Sequence, residues 1–67
     1  MYNIGDAIRS ARCERGLTVY ALAKRTGVST SHLYAIEDGK KSPSMEFLAK
    51  VLPPLGLRLE VVEHARR

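Results

Sequence analysis

The sequence predicts an all-α domain of four short helices followed by one β-strand. Three observations predict it. Apolar residues recur at helical spacing in four separate segments. Each segment opens on Asn, Thr or Ser and closes on Gly or Pro. After the last one, "LGLRLEVVE" alternates apolar and polar residues instead.

Asn3 caps the first helix, with Asp6 near the positive end of its dipole. Ile4, Ala7, Ile8 and Ala11 supply its apolar stripe, and Gly16 is its stop. Thr18 caps the second helix, Leu22 and Ala23 are its inward positions, and Gly27 ends it. Ser29 caps the third, with Leu33 and Ile36 one turn apart on its inner side and Gly39 as its end. A "KKSP" loop leads to Ser44, the cap of a fourth helix carrying Met45, Phe47, Leu48, Val51 and Leu52. Pro53 and Pro54 stop that helix, because proline lacks the N–H and clashes with the preceding turn. Leu57, Leu59 and Val61 then alternate with Arg58, Glu60 and Val62, which predicts a strand over about 57–63. The closing "HARR" reads as frayed.

The 67 residues allow one domain, expected to span 1–67. A chain this short buries only about 60% of its unfolded surface, so a partner subunit is the expected supplement. Its single cysteine, Cys13, excludes an internal disulfide and fits a reducing cytoplasm. Cys13, His32 and His64 stand at no metal-ligand spacing. No apolar run is long enough to cross a bilayer and no signal peptide is visible, so neither a membrane nor secretion is expected. The net charge is +4 and the pI about 9.6. No acidic residue stands between Glu14 and Glu37, whereas Arg15, Lys24 and Arg25 do. On charge alone, a polyanion-binding face and an ordinary solvated basic surface fit equally well.

The second and third helices are each about two turns long and are joined by "TGVS", which is helix-turn-helix spacing. Ala23 is small where the two must approach, and Gly27 sits where a positive φ is easiest for glycine. Leu22, Val28, Leu33 and Ile36 take the inward positions. On a helical wheel, Ser31, Tyr34, Ala35 and Asp38 lie opposite Leu33 and Ile36, with Thr30 and His32 at the flanks. Glu37 falls about 70° from the centre of the inner side, which predicts half burial. The outward face is short and mostly neutral, so it suits entry into a groove about 12 Å wide. Hydroxyls there match donors or acceptors on base edges, and Ala35 or the Thr30 methyl matches a thymine methyl.

The stretch from Gly16 to Leu57, and above all "LTVYALAKRTGVSTSHLYAIEDGKKSPS", resembles the Cro/repressor-type, lambda-repressor-like helix-turn-helix family. The resemblance implies a compact helical domain, with the motif at 18–39 and the 29–38 helix entering the DNA major groove. Thr30, Ser31, His32, Tyr34 and Ala35 are then the candidate base contacts. Thr18, Val19, Ser29, Lys40 and Lys41 are the candidate phosphate contacts. The family usually has Gln where this chain has Val19, whose backbone N–H alone can serve. The family also pairs an arginine of the first helix with a glutamate of the third, which implies an Arg12–Glu37 pair.

The ending resembles HipB-like antitoxins, whose strand pairs across a dimer, making Leu57, Leu59 and Val61 candidate interface residues. A lone strand needs such a partner for its backbone groups. The expected function is a homodimeric, cytoplasmic DNA-binding regulator, a repressor that reads a palindromic operator. The alternative is a DNA-binding antitoxin that neutralises a toxin protein. No nucleophile–base pair, phosphate-binding glycine loop or metal set supports an enzyme, and neither cofactor nor small-molecule ligand is expected.

Overall fold

The computed structural model describes residues 3–60. The helices are α1 (Ile4–Glu14), α2 (Val19–Thr26), α3 (Thr30–Glu37) and α4 (Met45–Val51), followed by a 3₁₀ turn over Pro53–Leu55. Each α-helix begins at its expected cap. The side chain of Asn3 accepts from the Gly5 N–H at 2.7 Å, and Thr18 accepts from Ala21 at 3.0 Å. Ser29 accepts from His32 at 3.0 Å, and Ser44 from Phe47 at 3.1 Å. Each bond satisfies a donor that the first helical turn leaves without a partner. Gly27 turns the chain between α2 and α3 at φ +82°, in the left-handed region.

One core joins the helices. Ile8, Val19, Leu22, Ala23, Leu33, Ile36, Phe47, Leu48, Val51, Leu52 and Leu55 are its buried members. Burying an aliphatic or Phe side chain fully is worth about 1.5–3 kcal/mol, so every helix gains most of its stability from this cluster. α3 packs against both α1 and α2, and α2 also meets α4. The approach of α1 to α3 is close at Gly5, where a Cβ would run into the carbonyl oxygen of Ile36 and stand 3.2 Å from the Glu37 Cα.

Two expectations need correction. Glu37 is only 3% exposed rather than half-buried, because two arginines of α1 cover the side the wheel leaves open. No strand forms among the described residues: 57–60 are neither helical nor paired. A β-ladder needs a second segment, and the described chain offers none. Leu57 instead folds back, its N–H donating to the Leu52 carbonyl at 3.0 Å and its side chain packing on the core. Val61 lies outside the described residues. Pro53 and Pro54 end α4 as expected, yet the 3₁₀ turn they start returns Leu55 to the core. Arg15 Nε fixes that turn by donating to the Leu55 carbonyl at 3.0 Å.

The Arg12–Glu37 pair is present. Arg12 Nε donates to Glu37 Oε2 at 2.8 Å and Nη2 to Oε1 at 3.0 Å. Its remaining nitrogen, Nη1, donates to the Leu17 carbonyl at 2.8 Å. One guanidinium therefore ties α1 to the end of α3 and to the loop before α2. Truncating it leaves a buried carboxylate short of its main partner. Arg12→Ala should lower stability by about 3 kcal/mol, read as a clear fall in melting temperature; an unchanged melt would assign the pair no structural role.

Candidate nucleic-acid interface

The face is built on α3. Leu33 and Ile36 are buried in the core, which fixes the rotation of the helix and turns Ser31 and Tyr34 outward. Tyr34 is 54% exposed, while Thr30 and Ala35 sit half-buried on either side of that stripe. The exposed strip is therefore narrow, with small side chains and one aromatic. Thr30 also lines a shallow groove between α2 and α3 with Tyr20, Lys24 and Val28.

His32 is placed differently from its neighbours. Its ring lies on Phe47 of α4, with centroids 5.0 Å apart and planes tilted by 59°. That contact packs α3 against α4 and leaves His32 at the flank of the face. Tyr20 of α2 escaped the sequence reading. It is 67% exposed beside the Thr30 groove, and the signal was present: it stands about 100° from Val19 on the wheel, outside the buried stripe.

Around the face lie groups suited to anions. The Thr18 and Ser29 side-chain oxygens accept from the amides of their own helices, which leaves each O–H able to donate outward. Both caps are exposed. Val19 does not present its side chain there. At 5% exposure it belongs to the core, because it lies in line with Leu22 and Ala23, so only its backbone N–H faces the start of α2. Lys40 and Lys41 are exposed in the loop after α3 and form no ion pair among the described residues.

Arg9 was also missed by the sequence reading. Its Nη2 donates to Asp38 Oδ1 at 2.7 Å and its Nε to Glu37 Oε1 at 3.3 Å. Both guanidinium groups titrate above the usual arginine value. For Arg9 the causes are its hydrogen bonds to Glu37 and then to Asp38; for Arg12 the main cause is its bond to Glu37. Both therefore stay charged. The set of hydroxyls, methyls, an aromatic and lysines can bind and discriminate a polyanion but supplies no bond-making chemistry.

A helix-turn-helix family profile matches residues 8–62. The transcriptional regulator ClgR of Mycobacterium tuberculosis is 39% identical over 59 residues, spanning 88% of this chain and 53% of the relative. The immunity repressor protein of Bacillus phage phi105 is 34% identical over 59 residues, 88% of this chain and 41% of its own. Among solved structures, the master regulator for biofilm formation SinR in complex with DNA aligns with a TM-score of 0.77 at 38% identity. That alignment covers 82% of this chain and 89% of SinR. The chain spans about half the length of the curated relatives it matches. The profile runs from α1 past the 3₁₀ turn, over helices packed in the expected order, and the chain therefore belongs to the lambda-repressor-like helix-turn-helix family.

Proposed function

We propose that this chain is a sequence-specific, double-stranded-DNA-binding transcriptional regulator: a homodimeric repressor in the cytoplasm that seats the helix at 29–38 in the major groove of a palindromic operator. The observation that carries this reading is the outward side of α3. It is narrow and short-chained, and it is flanked by two cap hydroxyls and two lysines that form no ion pair among the described residues. Ser31, Thr30, Tyr34 and Ala35 read base edges, with His32 at the flank. Thr18, Ser29, the Val19 N–H, Lys40 and Lys41 hold the phosphates. The relatives support it: one is named a transcriptional regulator, one an immunity repressor, and SinR was solved with DNA. None of these three is named an antitoxin, and the regulator reading takes precedence over that alternative. Repression needs no cofactor, since occupancy of the site suffices.

The dimer is supported by the end of the described chain. Leu59 is 46% exposed and Met45 69%, and both line one apolar groove with Leu48, Leu52 and Leu57. The backbone N–H groups of 58–60 make no hydrogen bond to another described residue. A second copy about a two-fold axis covers the groove and pairs that backbone in one step. A chain truncated before Leu57 should sediment as a monomer and the full chain as a dimer; a dimeric truncation would place the interface elsewhere.

Selection from random duplex DNA at fixed salt should enrich two inverted half-sites about one helical turn apart. Enrichment of no sequence would overturn the operator reader. Replacing Lys40 and Lys41 together by Ala should reduce the steepness of log K against log salt by about 1.8, through two lost phosphate contacts. The melting curve should not move, because both side chains are exposed.

A further inference from the structure

Asp38 is the one acidic residue on the outward stripe of α3, in line with Ser31 two turns earlier. Its carboxylate does not stand free, since Arg9 Nη2 reaches across from α1 to Oδ1 at 2.7 Å. Glu37 does not require Arg9 for this. Arg12 already donates to both Glu37 oxygens, at 2.8 and 3.0 Å, whereas Arg9 stands at 3.3 Å. Both Arg9 and Asp38 are 44% exposed, and a pair that open contributes little to stability. Its location is more telling than its strength. Gly39, Lys40 and Lys41 follow at once, and Lys40 and Lys41 are the proposed phosphate contacts. A free carboxylate there would face a duplex that carries one negative charge per about 1.7 Å.

We propose that Arg9 is a positioning residue for DNA binding that acts through Asp38, holding its carboxylate toward α1 and cancelling its charge at the phosphate-facing end of α3. The inference rests on the DNA-binding reading of the same face. Arg9 and Arg12 balance Glu37 and Asp38, so the end of α3 carries no net charge and the lysines beside it act undiminished. Without Arg9, Asp38 offsets one of those lysines. Asp38 is also the C-cap residue of α3, so the clamp fixes where the recognition helix ends and its loop begins.

The test is a binding cycle on the full chain with mixed-sequence duplex DNA, titrated over a salt series. It compares wild type, Arg9→Gln, Asp38→Asn and the double variant, with a thermal melt of each. Arg9→Gln should weaken binding on the order of tenfold near ~0.1 M salt and lower the salt slope by about 0.9, one charge's worth. The double variant, with the carboxylate also gone, should return to within about twofold of wild type. A merely structural role would not be rescued in this way, and the melts report folding separately. If Arg9→Gln does not fold, Asp38→Asn carries the test, because freeing the Arg9 charge should tighten binding; unchanged affinity there overturns the proposal. Wild-type affinity in Arg9→Gln also overturns it, as does a double variant as weak as Arg9→Gln, which would make Arg9 itself the phosphate contact. A wild-type chain that binds no duplex removes the DNA-binding reading along with this inference, whereas wild-type binding without rescue removes the inference alone.

Discussion

Glu37 is 3% exposed at the last position of α3, with Arg12 on both of its oxygens and Arg9 on one of them. Taking a carboxylate out of water costs several kcal/mol unless partners restore what water supplied. Here α1 supplies those partners, so the charge can be buried only when α1 and α3 are correctly docked. Gly5 makes the docking possible by removing the side chain that would strike the Ile36 carbonyl. The rotation and end point of α3, on which the proposed reading of DNA depends, are thereby tied to α1 rather than left to α2 alone.

Within that constraint α3 divides its labour by face. Leu33 and Ile36 anchor it from inside, while Ser31 and Tyr34 stand exposed on the opposite side. The opposite holds at Val19, where a core role excludes the side chain from the surface. The arginine cluster and the His32–Phe47 contact add to the hold of Leu33 and Ile36 on α3, whereas the Val19 side chain takes no part at the surface. Two of these ties, the arginine cluster and the ring contact, involve residues of α3.

Much of this was legible in the residues themselves. Asn3, Thr18, Ser29 and Ser44 mark the four helix starts because a cap bond spans only two or three positions. The apolar stripes named all the main core positions except Val19 and Leu55, since periodicity is local too. The strand at 57–60 misled because alternation shows what a segment could pair, whereas pairing needs a second segment in place.

The sequence by itself determined where each helix starts and stops, which side of it is buried, and which short side chains are left outside, because those properties rest on bonds and periodicities spanning a few residues. Only the tertiary structure decided how charge is arranged on the exposed side. Arg9 and Asp38 are 29 positions apart, and nothing local links them. They meet because Gly5 lets α1 cross α3 closely enough for a guanidinium to span two carboxylates, a consequence of helix packing that no reading of neighbouring residues contains.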